Sequence, residues 1–132
     1  MAGYSSTNQG HCHPKIIETA INQLGKVTQT SRAFSNTEMC TFSEYICNLL
    51  GFDKFLPSSS GVEACESACK LARRWGYTVK GVEHDKASII MANGCFWGRS
   101  ITASGGSDDP VRYTNFGPFT PGFPLVDFDN LE

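Results

Sequence analysis

The stretch SSSGVEACESACKLARRWGYTVK, residues 58–80, constrains this chain more than any other. It reads as a long helix over residues 61–80, with three serines and a glycine at its mouth. Ala64, Cys65, Ala68, Leu71, Ala72, Trp75 and Val79 recur at helical spacing and predict its buried side. Small residues dominate the first half of that stripe, so this end can come close to a sheet. Glu63 and Glu66 sit early while Lys70, Arg73 and Arg74 sit late, an order that complements the helix dipole.

The neighbouring segments supply partners for such a helix. PKIIETAINQLGK (14–26) predicts an amphipathic helix: Pro14 suits its first position and Ile16, Ile17, Ala20, Ile21 and Leu24 line one face, with Gly25 at the exit. SNTEMCTFSEYICNLLG (35–51) predicts another. There Ser35 and Glu38 fit a capping box, Phe42, Ile46, Leu49 and Leu50 share a face, and Gly51 ends the helix. ASIIMAN (87–93) and LVDF (125–128) are short apolar runs bounded by turn signals, which predict buried strands. Between them, GCFWGRS (94–100) reads as a loop or helix entry, and FGPFTPGFP (116–124) is too rich in Pro and Gly for regular structure. Asp129 suits the cap of a further helix. Helices alternating with buried strands imply an α/β layer fold with a largely parallel sheet. Two strands are few for such a sheet, so the chain reads as part of a domain.

The bulk numbers exclude several function classes. The chain has 132 residues, 40% hydrophobic and 18% charged, with a formal net charge of -2. That balance gives no basic field for nucleic acid or anionic lipid. No apolar run approaches the roughly 20 residues of a membrane span, and the first residues lack a secretory pattern. Cys12, Cys40, Cys47, Cys65, Cys69 and Cys95 are expected to be reduced thiols. His11-Cys12-His13 and the Cys65/Cys69 pair lack the matching ligands a zinc site needs, so no metal is expected.

Two places can carry chemistry. A helix start offers unpaired N–H groups and a positive dipole end, so an anion binds there readily. Ser58, Ser59 and Ser60 add hydroxyls, and Gly61 lets a ligand approach the backbone; the plainer reading is one serine as cap and the others as loop. Cys95-Phe96-Trp97-Gly98-Arg99 is the second place. Its aromatics can stack a flat ligand and Arg99 can fork onto a carboxylate, or they can be a hydrophobic anchor beside an exposed arginine.

Taken together, NQGHCHPKI (8–16), TSRAF (30–34), SGVEACESACKLARRWGYTVKG (60–81), FWGR (96–99) and FGPFTPGF (116–123) resemble the class III pyridoxal-phosphate aminotransferases, in their ornithine-using branch. The resemblance runs over nearly the whole chain. It implies a partial fold type I (aspartate aminotransferase-like) large domain, with residues 1–132 its N-terminal part and no small domain. It implies pyridoxal 5'-phosphate as cofactor, with the phosphate at Ser60, Gly61 and Val62 and the pyridine ring on Phe96, Trp97 beside it. Arg99 then corresponds to a substrate-carboxylate arginine and Tyr4 to an active-site tyrosine. The implied reaction moves the terminal amino group of L-ornithine to 2-oxoglutarate, in a homodimer of the cytoplasm or mitochondrial matrix.

The chain departs from the family in two ways. Ser59-Ser60-Gly61 stands where the family usually has Asn-Thr-Gly. The Schiff-base lysine and the aspartate that pairs with the pyridine nitrogen lie C-terminal to the region the chain covers, so no catalytic residue is assigned within it. A non-catalytic fragment with weak phosphate binding is the alternative reading.

Overall fold

The computed structural model describes residues 2–31 and 33–130. The chain divides into two compact units, Met1–Phe55 and Leu56–Glu132.

The first unit begins with a single turn, α1 (Ala2–Ser5), whose residues Gly3 and Tyr4 take left-handed dihedrals. Helix α2 (Pro14–Leu24) opens on Pro14, whose missing N–H has no intrahelical partner to lose at that position, and leaves through Gly25. Helix α3 (Thr37–Leu50) starts one residue later than the capping-box reading placed it. Asn36 is the cap, its side-chain oxygen accepting from the Met39 N–H at 2.8 Å, so Ser35 is not. Asn and Ser cap about equally well, and the backbone decides between adjacent candidates. Gly51 closes α3 in the left-handed conformation (φ 72). Phe42 meets Phe55 edge-on, with ring centroids 5.4 Å apart. The predicted stripe of α2 stays exposed, as do Phe42, Leu49 and Leu50 of α3, while Ile46 is half-buried.

The second unit is organised by helix α4 (Gly61–Thr78), which is 18 residues long and ends two residues short of the sequence expectation. Strand β1 (Met91–Ala92) pairs in parallel with β2 (Leu125–Val126), Met91 opposite Leu125 and Ala92 opposite Val126. The hydrogen bonds extend past these strands. Ile89, Met91 and Asn93 donate in turn to Gly122, Pro124 and Val126, the two-residue stepping of a parallel ladder. The crossover carries α5 (Ile101–Gly105) and α6 (Pro110–Tyr113), both too short for a periodicity signal. Residues 116–124 are irregular, with a cis Gly117–Pro118 bond. Asp129 lies in a turn at φ 59 and caps no helix. The buried positions of this unit are Gly76 of α4, against Val82 and Ala87, and Ala103, Gly106 and Ser107 in and just after α5, with Gly106 beside Met91 of β1.

The covered face of α4 is not the predicted one. Val62, Cys65, Glu66, Ser67, Cys69, Arg73, Gly76 and Tyr77 are the positions shielded from solvent, and of the predicted stripe only Cys65 is among them. Ala64, Ala68, Leu71, Ala72, Trp75 and Val79 are exposed, Leu71 at 69% and Val79 at 68%. The helix has two faces compatible with burial, and hydropathy picked the more apolar. The face that packs is small or polar, and at Gly76 a Cβ would reach the side chains of Val82 at 3.8 Å and Ala87 at 3.9 Å, in the segment that folds back after the helix. Arg73, one of the basic residues late in the helix, turns inward. It donates to the Pro121 carbonyl and lies 4.7 Å over the Phe123 ring, fastening the 116–124 strap to α4.

Candidate functional site

Ser60 is the N-cap of α4, extended at φ -149, and its hydroxyl oxygen accepts from the Glu63 N–H at 3.3 Å. The Ala64 N–H goes to the Ser60 carbonyl. The N–H groups of Gly61 and Val62 have no partner among the described residues and stand at the positive end of an 18-residue helix. Gly61 is exposed, and a Cβ there would meet nothing within 4 Å. Capping uses one lone pair of Ser60, and its O–H remains free to donate. The plain capping role is therefore present and does not compete with anion binding.

Gly98 brings the second segment to this helix mouth. Its φ of 152 lies where side chains are disfavoured, and a Cβ there would be 2.6 Å from Val62 Cβ. No other residue allows the Phe96–Arg99 loop to lie this close to the first turn of α4. One turn further on, Ser100 donates to Glu66 Oε1 at 2.6 Å and also caps α5 through the Ala103 N–H. Sequence reasoning singled out neither Gly98 nor Ser100; a glycine between an aromatic pair and an arginine was the signal on offer.

The structure thus gathers Ser60, Gly61 and Val62 with the Phe96–Arg99 loop. Phe96 is 56% exposed, presenting its ring. Trp97 is half-buried, and its Nε1 is buried with no hydrogen-bond partner among the described residues. Arg99 is exposed, with its guanidinium carbon 5.8 Å from the Phe96 centroid, and among the described residues no hydrogen bond or ion pair holds it. Tyr4 belongs to the other unit, 87% exposed in α1. Behind the site, burial pushes the Cys69 thiol up, with the Glu66 carboxylate and Cys65 adding to the effect. Among the described residues no three His, Cys, Asp or Glu side chains gather as a metal set. None of the described helices is long and apolar enough to cross a membrane.

These features define a helix mouth open to an anion beside an aromatic platform. The family profile Aminotransferase class-III matches residues 1–132, and the chain belongs to that family, whose solved structures share its fold type I architecture. It is similar to the mitochondrial ornithine aminotransferase of Rattus norvegicus, at 52% identity over 99% of this chain and 30% of the relative. The mitochondrial homologue of Caenorhabditis elegans, named a probable ornithine aminotransferase, is 51% identical over the whole chain and 31% of its own. Among solved structures, the Toxoplasma gondii ornithine aminotransferase, described with partial occupancy of PLP at its active site, superposes with a TM-score of 0.95 at 45% identity, over 98% of this chain and 31% of that one. The acetylornithine aminotransferase of Elizabethkingia anophelis gives a TM-score of 0.72 at 39% identity, over 98% of this chain and 27% of that one. The chain therefore spans about 30% of the length of the curated relatives it matches.

Proposed function

We propose that this chain carries the phosphate-and-ring half of a pyridoxal-phosphate site in an aminotransferase acting on ornithine. The observation that carries the reading is the close seat of Gly98 on Val62, which sets an aromatic platform beside two unpartnered helix-start amides. A phosphate fits that donor set. Gly61 and Val62 supply N–H groups, Ser60 supplies O–H, and the helix dipole favours the negative charge. A flat heteroaromatic ring fits the exposed Phe96.

When bound, pyridoxal phosphate acts as an electron sink for amino-group transfer. The residues of this chain do the holding and orienting. Ser60, Gly61 and Val62 anchor the phosphate, Phe96 fixes the plane of the ring, and Trp97 walls the site with an indole N–H still available to donate. Arg99, free of any carboxylate among the described residues, receives a substrate carboxylate as a charge-assisted fork. The family resemblance alone assigns Tyr4 as an active-site tyrosine. The identity to ornithine aminotransferases supports L-ornithine as amino donor and 2-oxoglutarate as acceptor, with glutamate 5-semialdehyde and glutamate as products. The names of several relatives support a mitochondrial location; the homodimer rests on the family resemblance, as does the placing of residues 1–132 in the N-terminal part of the large, cofactor-binding domain.

The experiment is to purify the protein with pyridoxal phosphate, pass it through a desalting column, and assay retained cofactor and ornithine-dependent glutamate formation. Retention with turnover supports the reading, and an Arg99→Ala variant is then expected to lose roughly tenfold to a hundredfold in kcat/KM for 2-oxoglutarate. Unchanged kinetics in that variant remove Arg99 from the site. Turnover is assayed in a chain that includes the Schiff-base lysine; retention without turnover there selects the alternative of a phosphate-binding fragment, and no retention removes the cofactor site.

A further inference from the structure

Arg112 was not singled out by any sequence pattern, yet its side chain ends at the aromatic platform. Its guanidinium carbon lies 4.9 Å from the Phe96 centroid, closer than the 5.8 Å of Arg99. Three contacts hold it there. Nε pairs with Asp109 Oδ2 at 3.1 Å, Nη1 donates to the Cys95 carbonyl at 3.4 Å, and the ring receives the charge. Asp109 is itself placed by capping α6, where its Oδ1 accepts from the Val111 N–H at 3.0 Å. One arginine at the ring is therefore fastened at three points and the other at none beyond the ring. A half-exposed phenylalanine has little packing to fix its side-chain torsions, so a fastened cation over it is what sets the ring's attitude.

We propose that Arg112 is a positioning residue for Phe96: held by Asp109 and the Cys95 carbonyl, it presets the ring that receives the flat cofactor and leaves Arg99 free for a substrate carboxylate. This rests on the pyridoxal-phosphate reading above.

The test uses the pyridoxal-phosphate-loaded protein and reads the visible circular dichroism of the bound cofactor and its release rate. Both report how the ring is held rather than how fast the enzyme turns over. Arg112→Met is expected to reduce the dichroic band and to speed release about two- to fivefold, the worth of an exposed cation–π contact. Arg112→Lys should recover part of both, since an ammonium can sit over the ring without making the fork. In a Phe96→Ala background, Arg112→Met should add nothing, because the two act through one contact. A native band and native release in Arg112→Met overturn the proposal, and so does an undiminished effect of Arg112→Met in the Phe96→Ala background. If Phe96→Ala alone changes neither signal, the stacking reading beneath the proposal falls instead. Should Arg112→Met fail to fold, Asp109→Asn keeps the cap and loses only the charged tether. A native band in that variant counts against the proposal, and a reduced one supports it.

Discussion

In the unit Leu56–Glu132 the side-chain hydrogen bonds reach far along the chain. Arg73 meets Pro121 across 48 residues, Ser100 meets Glu66 across 34, and Asn93 meets Asp127 across 34. In the unit Met1–Phe55 every described side-chain hydrogen bond spans six residues or fewer, the longest from Asn36 to Thr30. The difference shows where a site can be built. Local bonds finish helices; only long-range bonds fix one segment against another. Ser60, Gly61, Val62, Phe96, Trp97 and Arg99 all lie in the unit with long-range ties, whereas Tyr4 lies in the unit without them.

The comparison can be broken most severely at Gly98. Gly98→Ala puts a methyl into Val62 at a glycine-favouring φ, and is expected to destabilise the second unit by about 3 kcal/mol. Urea unfolding together with amide exchange at Ile89, Met91 and Asn93 would measure it. Native protection of those amides would mean that the loop does not need its close seat. Arg73→Met should cost less, about 2 kcal/mol, by losing the Pro121 bond and the Phe123 contact. The same amides read it, since the strap it holds leads directly into β2. Asn36→Ala tests the locally bonded unit: about 1 kcal/mol is expected, seen as faster exchange in the first turn of α3. The smallest effect concerns reactivity. Because the Cys69 pKa is raised, less thiolate is present at any given pH, so maleimide should label it more slowly than exposed Cys12 and Cys40 at pH about 8. Raising the pH should narrow the gap, and labelling of all three at one rate would contradict the burial.

The three long helices, α2, α3 and α4, were legible in the sequence because each carries its own period and punctuation, whereas α1, α5 and α6 are too short to show one. Pro14, Gly25, Gly51 and Ser60 stand at their predicted ends. The strands were legible as apolar runs, but their pairing depends on which backbone groups face each other. ASIIMAN and LVDF accordingly contribute only two residues each to the paired strands. The packed face of α4 was not legible from hydropathy. Glu66 and Arg73 are covered because of a hydroxyl and a carbonyl that lie far off in sequence, and Gly76 because Val82 and Ala87 fold back against it. Gly98 and Arg112 were missed for the same reason: each is defined by a partner rather than by a pattern. The residues assigned to phosphate, ring and carboxylate came from family resemblance. What the structure adds is that the helix mouth and the aromatic loop touch.

The Arg73–Pro121 fastening also has a bearing on biosynthesis. The helix mouth and the aromatic loop leave the ribosome before residues 121–126, which supply both the carbonyl for Arg73 and the ladder partners of β1. During translation, the aromatic loop ending at Arg99 must wait about twenty residues, until Pro121, for its clasp. The order of synthesis makes this strap the closing step of the unit, and long-range closure of this kind is slow compared with helix formation. A nascent chain halted before Pro121 would therefore present helices without a site.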